Sequence, residues 1–217
     1  MPTKEAIVLL SGGIDSATCA LLAKEKYVTR AVTFVYGGIA RGELRAAREL
    51  GQAVGTREHR FVRLPDMREA SDTGARFEGL PPTYIPMRNA VFYSLAASFA
   101  EETGADYIVG GHNKDDLKVF QDAGPAFFDS MEAALWAGSK ALKRKRLRIL
   151  RPLQGKTKPQ VIRLAASLGV PFQVTWSCHS NGTQHCWKCE GCLNRVRSFD
   201  SAGVSDPLRV SRPEKVS

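Results

Sequence analysis

The segment VLLSGGIDSATCALL, residues 8–22, joins an apolar run to a helical pattern through a turn of glycine and serine. The apolar residues at 6–10 predict a short buried strand, and the apolar spacing across residues 15–25 predicts an α-helix. Gly12 and Gly13 let backbone N–H groups approach an anion without a Cβ in the way, and the start of the helix adds the positive end of its dipole. The segment therefore predicts a phosphate-binding loop.

The side chains of this loop suit the same ligand. Ser11 and Ser16 offer hydroxyl donors, and Asp15 is placed to hold a magnesium ion on the phosphates. The loop lacks the lysine of a Walker sequence and the G-x-G-x-x-G spacing of a dinucleotide site. The alternative is a glycine-rich turn in which Asp15 and Ser16 only cap the helix. The predicted anion-binding residues are Leu10, Ser11, Gly12, Gly13, Ile14, Asp15 and Ser16.

The rest of the chain alternates between strand and helix patterns. Further strands are predicted at residues 30–36, 59–64, 106–111 and 147–150. Further helices are predicted at residues 42–55, 89–104, 126–142 and 158–169, and a polar, proline-rich loop at residues 65–86. Strands that alternate with helices are joined by crossover connections. We therefore predict an α/β fold with a Rossmann-like, mainly parallel sheet and helices on both faces.

Length and composition limit the class of protein. The 217 residues suit one domain, and a hydrophobic content of 43% is ordinary for a globular protein. Lys and Arg number 31 against 22 Asp and Glu, and the resulting net charge of +9 suits a polyanionic ligand or simply gives a basic surface. The apolar runs are too short to cross a bilayer, and the N-terminus lacks a signal-peptide pattern. We expect a cytoplasmic protein.

Four of the five cysteines lie close together near the C-terminus, with the spacing C-x7-C-x2-C-x2-C. Four thiolates can complete the tetrahedral shell of a zinc ion, which would be structural because no open position remains. His179 and His185 are therefore not needed as ligands, and an iron–sulfur cluster is the alternative. We predict a single domain with a core over about residues 1–170 and a small C-terminal zinc-binding lobe over about residues 171–217. The predicted ligands are Cys178, Cys186, Cys189 and Cys192.

Several motifs resemble those of one known family. SGGIDS resembles the S-G-G-x-D-S loop of the N-type ATP pyrophosphatases, which cleave ATP to AMP and pyrophosphate in order to adenylate a carbonyl oxygen. The segments AVTFVYGG and YIPMRN, and the stretch from KTKPQ through the cysteines, resemble the QueC family of 7-cyano-7-deazaguanine synthases. This second resemblance covers nearly the whole chain.

The resemblance implies an ATP-dependent synthetase that converts 7-carboxy-7-deazaguanine and ammonia to 7-cyano-7-deazaguanine. The reaction passes through an adenylated carboxylate and an amide, and it belongs to queuosine and archaeosine biosynthesis. ATP, Mg2+ and Zn2+ are implied as cofactors, with small-molecule partners, a homodimer, and no direct binding of tRNA or of a membrane. The alternatives are a thiolase-like enzyme that acts on tRNA and a family paralogue that acts on a related deazapurine acid.

The resemblance also implies roles for residues outside the loop. Lys156 and Lys158 would neutralise phosphate charge, or they are solvated loop lysines. Arg88 and Asn89 would join the ATP-binding set, or they form a helix cap with a surface arginine. The implied catalytic residues are Asp15, Ser16, Lys156 and Lys158. The implied substrate-binding residues are Asn113, Asp116 and Asp122.

The loop after the fourth predicted strand departs from the family pattern. Family members read G-x-N-x-x-D-Y-S-x-Y-P-D-C-R there, whereas this chain reads GGHNKDDLKVFQDAG, in which the tyrosines, the cysteine and the arginine are replaced. The missing arginine leaves the identity of the acid substrate open. A dense basic run at residues 139–151 is either a solvated helix face or a contact for RNA phosphate.

Overall fold

The structure, a computed structural model, describes residues 4–37, 39–64, 67, 69, 77–81 and 84–210. Its centre is a five-stranded sheet formed by β1 (Glu5–Leu9), β2 (Val28–Val35), β3 (His59–Arg63), β4 (Tyr107–Val109) and β5 (Arg148–Leu150). The strands lie in the order β3-β2-β1-β4-β5, and each neighbouring pair is parallel. The strands predicted from the sequence are therefore confirmed, with ends that differ by a residue or two.

Helices cover both faces of this sheet. They are α1 (Ile14–Lys24), α2 (Arg41–Val54), α3 (Arg88–Thr103), α4 (Pro125–Gly138), α5 (Lys140–Lys145), α6 (Lys158–Ser167), α7 (Glu190–Ala202) and α8 (Pro207–Val210), with short 3-10 helices at Asp116–Lys118, Gln121–Ala123 and Phe172–Val174. Successive residues of a strand point to opposite faces. Ala6 and Val8 of β1 accordingly pack with α1 and α6, whereas Ile7 packs with α3 and α4. The two cores confirm the predicted α/β fold with helices on both faces.

The helix predicted at residues 126–142 is interrupted. α4 ends at Gly138, and Ser139 adopts an extended backbone (φ −139°, ψ 122°) before α5 begins. The Oγ of Ser139 accepts a hydrogen bond from the N–H of Leu142 at 3.2 Å, so this serine caps a second helix. The prediction of one continuous helix was wrong because the apolar spacing continues through a glycine–serine pair that favours a break. α7 lies where the sequence did not predict a helix.

The order of the strands indicates where on the sheet a ligand would bind. β1 has β2 and β3 on one side and β4 and β5 on the other, so the order reverses between β1 and β4. In open α/β sheets, ligands bind outside the carboxyl ends of the strands at this reversal. Residues 11–16 follow β1 and residues 110–116 follow β4, so both segments meet at this edge.

Other expectations are tested less directly. The proline-rich loop predicted at residues 65–86 lies largely outside the described residues. Within the described part of the chain, no helix is both long enough and apolar enough to span a membrane. The boundary near residue 170 stays a prediction. Phe172 and Phe199, which lie beyond it, stack edge to face at 4.9 Å and belong to the same core cluster as α1.

Candidate functional site

A cleft of about 650 Å3 opens at the carboxyl ends of β1 and β4. It gathers the loop after β1, the start of α3, the loop after β4 and the start of α6, which are far apart in the sequence. The predicted site residues that line this cleft are Leu10, Ser11, Gly13, Ile14, Asp15, Ser16, Arg88, Asn89, Asn113, Asp116 and Lys158. The predicted phosphate loop and most of the predicted substrate residues therefore share one cavity.

The loop after β1 has the backbone of an anion receptor. Gly12 has a φ of +94°, and a Cβ at this position would lie 2.6 Å from the carbonyl oxygen of Glu43, so only glycine fits. α1 begins directly after Gly13, and among the described side chains none caps it there. Ser16 Oγ accepts from the N–H of Ser11 at 3.2 Å and donates to the carbonyl oxygen of Gly13 at 2.9 Å, which fixes the loop. The first N–H groups of α1 thus remain available to a phosphate.

Charged groups from distant parts of the chain meet beside this loop. Lys158 Nζ lies 2.8 Å and 2.7 Å from the two carboxylate oxygens of Asp15, and Asn113 Nδ2 donates to Asp15 at 3.2 Å. The N–H of Asn113 donates to Asp116 at 2.9 Å. Burial, followed by the negative charge of Asp15, raises the pKa of Asp116 to about 6. Two carboxylates and one ammonium group are therefore concentrated where the first helix begins.

Lys156 and Asp122 lie beside the cleft rather than in its lining. The carbonyl oxygen of Lys156 accepts a hydrogen bond from the N–H of Lys114 at 2.8 Å. Asp122 receives the N–H of Asn89 at 3.4 Å on its carboxylate, and the side-chain amide of Asn89 donates to the Asp122 carbonyl oxygen at 3.0 Å. Both residues hold neighbouring segments in place, and their predicted catalytic and substrate-binding roles stay predictions.

The lining of the cleft includes further ionisable residues that were not predicted from the sequence, among them Tyr36, Glu43 and His112. Tyr36 follows β2 and His112 follows β4, so their positions after strands at the ligand edge were a usable signal. Glu43 lies in the first turn of α2, where it reads as one polar position of an amphipathic helix. Burial raises the pKa of Glu43 to about 7 against the opposing charge of Arg88. Burial, with the charge of Arg88 second, lowers the pKa of His112 to about 4.

The four C-terminal cysteines converge as predicted. All four Sγ atoms lie within 4.8 Å of one another, with Cys178 and Cys189 3.8 Å apart and Cys186 and Cys192 3.9 Å apart. A tetrahedral ion with Zn–S bonds of about 2.3 Å requires S–S distances of about 3.8 Å. An iron–sulfur cluster distributes its thiolates over several iron atoms and needs wider spacing. The donor set therefore fits one tetrahedral ion such as zinc.

Backbone groups favour the thiolate form of one cysteine in this cluster, Cys186. Hydrogen bonds from the N–H groups of Lys188 and Cys189 lower the pKa of the Cys186 thiol to about 5. Burial instead raises the pKa of Cys192 above its usual range. The charge of a bound ion would ionise the thiol of Cys192. The histidine at 185 is used elsewhere, since its Nε2 accepts from the N–H of Ser177 at 3.1 Å.

Trp176 connects the cysteine cluster to the phosphate loop. Its backbone N–H donates to the carbonyl oxygen of Gly12 at 2.9 Å, and its indole Nε1 donates to the carbonyl oxygen of Cys178 at 2.6 Å. The ring packs so tightly on α2 that a Cβ at Gly42 would lie 2.5 Å from it. Trp176 also lines the cleft, so the segment that carries the cysteine cluster forms part of the cavity wall.

Arg195 of α7 binds the chain segment that precedes Trp176. Its guanidinium pairs with Asp206 at 2.6 Å and 2.8 Å, and both side chains have no exposed surface. It also donates to Thr175 Oγ1 at 2.8 Å and to the carbonyl oxygen of Phe172 at 3.1 Å. The segment that leads into the first cysteine is therefore held by a buried charge.

Two solved structures share the fold of this chain. NMN synthetase from Francisella tularensis has a TM-score of 0.55 and 19% identity, over 98% of this chain and 90% of that chain. NH3-dependent NAD synthetase from Campylobacter jejuni has a TM-score of 0.52 and 18% identity, over 80% of this chain and 68% of that chain. At these identities the similarity establishes the fold alone.

Similarity at the level of sequence identifies the family. The family model of queuosine biosynthesis protein QueC matches residues 5–203. A protein of Thermoplasma acidophilum named 7-cyano-7-deazaguanine synthase is 36% identical, over 98% of this chain and 94% of its own length. A protein of the same name from Anaeromyxobacter sp. is 37% identical, over 95% of this chain and 96% of its own length. Another, from Azotobacter vinelandii, is 37% identical, over 96% of this chain and 99% of its own length. With a match that runs from the phosphate loop through the cysteine cluster, the chain belongs to the QueC family.

Proposed function

We propose that this protein is an ATP-dependent carbon–nitrogen ligase that converts 7-carboxy-7-deazaguanine and ammonia to 7-cyano-7-deazaguanine. The observation that carries the proposal is the single cleft in which the phosphate loop meets the Asp15–Lys158 pair. It is supported by full-length relatives that bear the name of this synthase.

The chemistry explains why the reaction needs ATP. A carboxylate resists ammonia because its charge repels nucleophiles and oxide is a poor leaving group. Its oxygen therefore attacks the α-phosphorus of ATP, pyrophosphate leaves, and a mixed anhydride forms. The nitrogen of ammonia then attacks the acyl carbon, AMP leaves with the bonding pair, and the nitrogen loses a proton to give the amide. A second ATP adenylates the amide oxygen, and loss of AMP and the remaining N–H protons gives the nitrile.

The protein's own part is to hold charge and position the reactants. The N–H groups at the start of α1 bind the pyrophosphate part of ATP, and the hydroxyls of Ser11 and Ser16 join them by turning away from the loop bonds that they donate in the free protein. Lys158 neutralises the charge that develops on the departing pyrophosphate, with Lys156 nearby. Asp15 and Asp116 would hold Mg2+, because two close carboxylates, one with a raised pKa, gain from a divalent cation. The ion would supply further charge neutralisation.

The acceptor would occupy the other end of the cleft. Arg88 lies beside Tyr36 and Glu43 there, and its guanidinium can meet the carboxylate in place of the arginine missing from the loop after β4. The rings of Phe92 and Phe120 line the same cavity and offer flat surfaces for the deazapurine. The predicted substrate residues Asn113, Asp116 and Asp122, and Asn89 for ATP, complete the proposal.

The remaining parts of the proposal concern the protein as a whole. Zinc in the cysteine cluster is structural, because four thiolates leave no position for substrate. The enzyme acts in the cytoplasm as a homodimer, within queuosine or archaeosine biosynthesis.

A direct test is incubation of the purified protein with ATP, Mg2+, ammonia and 7-carboxy-7-deazaguanine, followed by mass analysis. We expect the amide as an intermediate, the nitrile as the product, and two AMP for each nitrile. Amide without nitrile would refute the second half of the reaction. No AMP with this acid, but AMP with another deazapurine acid, would favour the paralogue.

Action on tRNA is the opposing outcome. Part of the basic run is already engaged by the protein, since Lys145 bonds to the carbonyl oxygen of Gly104 and Arg148 pairs with Glu132 at 2.8 Å. We expect a variant with residues 143–146 neutralised to keep its rate with the small acid. Two results together would favour action on tRNA over the proposed function. AMP would be released only when tRNA is present, and the affinity for tRNA would fall less steeply with salt concentration in this variant than in the parent.

A further inference from the structure

We propose that His112 donates a hydrogen bond from its Nδ1 to the acyl oxygen of the substrate and stabilises the negative charge that forms there when ammonia attacks. The inference rests on the proposed function and deepens it by assigning the residue that acts on the reacting carbon. His112 lies in the loop after β4, at a position where the family pattern specifies no residue type.

His112 lies between the two ends of the cleft. A Cβ on its neighbour Gly111 would lie 3.1 Å from the backbone of both Asp15 and Ser16, so the loop after β4 rests on the phosphate end. On the other side, the charge of Arg88 acts on the same imidazole ring. The reacting carbon has to lie between the phosphates and the acceptor ring, and His112 is one of the residues that line this cavity.

Tyr93 determines which ring nitrogen carries the proton. The hydroxyl of Tyr93 lies 2.9 Å from His112 Nε2, and Tyr93 is completely buried. A buried hydroxyl donates its proton to an acceptor, and among the described residues His112 Nε2 is the acceptor in reach. Nε2 therefore accepts this bond, and the proton of the neutral ring lies on Nδ1. Phe128 holds both rings, with centroids at 5.0 Å from Tyr93 and 5.1 Å from His112.

The surroundings keep this ring neutral. The groups that face it are Asp15 from α1, Arg88 and Tyr93 from α3, and Arg151 after β5. Burial lowers the pKa of His112 to about 4, Arg88 and Arg151 act in the same direction, and Asp15 opposes them. A neutral imidazole with this pKa is a poor proton acceptor at neutral pH but remains a fixed donor. A hydrogen-bond donor therefore fits the geometry better than a general base.

The donor is needed in one step and not in the other. When the nitrogen lone pair forms the C–N bond, the π pair of the carbonyl moves to its oxygen, and Nδ1–H bonds to that oxygen. The carbonyl then re-forms as the C–O bond to AMP breaks, and His112 keeps its proton throughout. Adenylation breaks a P–O bond and leaves the acyl carbon trigonal, so it makes no use of this donor.

The two steps can be measured separately. Exchange of labelled pyrophosphate into ATP in the presence of the acid reports adenylation, and formation of amide with ammonia reports acyl transfer. We expect His112→Ala to lower the kcat of amide formation by about 10²–10³-fold, as loss of an oxyanion donor does, while exchange is unchanged. His112→Asn places an amide N–H near the position of Nδ1 and should regain most of the loss. Tyr93→Phe, which frees the ring proton, should lower amide formation alone.

His59→Asn is the matched control. This histidine is also half-buried and bonds to a hydroxyl, Thr33 Oγ1, at 2.8 Å, but it lines a separate pocket beside α2. Both assays should be unchanged in this variant. An equal loss of exchange and amide formation in His112→Ala would overturn the inference, and so would an Asn variant no better than Ala. A parent protein that forms neither amide nor AMP with this acid would overturn the proposed function, and the role of His112 with it. An active parent with either contrary pattern would overturn the role of His112 alone.

Discussion

Replacement of Arg195 should destabilise the protein far more than replacement of a surface arginine. Arg195→Met keeps an unbranched side chain but removes the bonds to Thr175 and Phe172, and it leaves the carboxylate of Asp206 buried without its counter-charge. Breaking a fully buried pair at one partner costs about 3–5 kcal/mol. For a chain of this length, each kcal/mol lowers Tm by about 2–4 °C, so we expect a fall of about 6–20 °C.

Urea unfolding followed by circular dichroism at pH 7 measures this loss. The double variant Arg195→Met/Asp206→Leu should recover most of it, because apolar replacement of a whole buried pair is often neutral. Arg209→Met is the surface control: Arg209 pairs with Asp200 at 2.6 Å, but the two side chains are 44% and 62% exposed, so we expect a change below about 1 kcal/mol. A loss in Arg195→Met no larger than in Arg209→Met, or a double variant as unstable as the single one, would refute this reasoning.

Three further predictions concern the cleft and the cysteines. Asp15→Asn should abolish adenylation, and with it AMP formation, with cooperative unfolding intact, because it removes the carboxylate that faces Lys158 at the phosphate end; pyrophosphate exchange measures adenylation, and AMP release measures the complete reaction. Cys189→Ala should lower both bound metal and Tm, since the ion crosslinks its loop; metal analysis and thermal unfolding test this. Glu43→Gln should make the protein more stable than the parent at pH 8 but not at pH 4.5, as judged by urea unfolding. The pKa of Glu43 rises from 4.5 to about 7 in the folded state, so stability worth up to about 3 kcal/mol is lost as pH rises through that window.

Each of these predictions has a contrary outcome. AMP formation by Asp15→Asn would remove Asp15 from the phosphate site. Full metal content and an unchanged Tm in Cys189→Ala would show that Cys189 is not a ligand, and Cys19→Ala, which alters a buried cysteine outside the cluster, should keep its metal. Parallel stability curves for Glu43→Gln and the parent between pH 4.5 and pH 8 would show that burial does not raise the pKa of Glu43.

Features that depend on residues close together in the chain could be predicted from the sequence. The strand, glycine turn and helix lie together within residues 8–22, and the cysteine spacing is read within residues 178–192. Features that depend on distant partners could not be read in this way. Arg195 looks like an exposed position of a polar helix until Asp206 is seen beside it. His112 gains its role from Tyr93, which lies nineteen residues earlier on another element.

Trp176 connects the phosphate loop with the cysteine cluster, so the affinity for nucleotide and the affinity for a metal ion would be coupled through it. Its backbone holds Gly12 of the phosphate loop while its indole holds Cys178 of the cysteine cluster. An ion that ordered the cluster and, through Trp176, the loop would strengthen ATP binding, and thermodynamic linkage would then require ATP to strengthen binding of the ion by the same factor. In a metal-starved cell the first deficit would be a rise in the ATP concentration needed for half-saturation, ahead of any loss of folded protein. Abundant nucleotide would in turn protect the cluster from chelators.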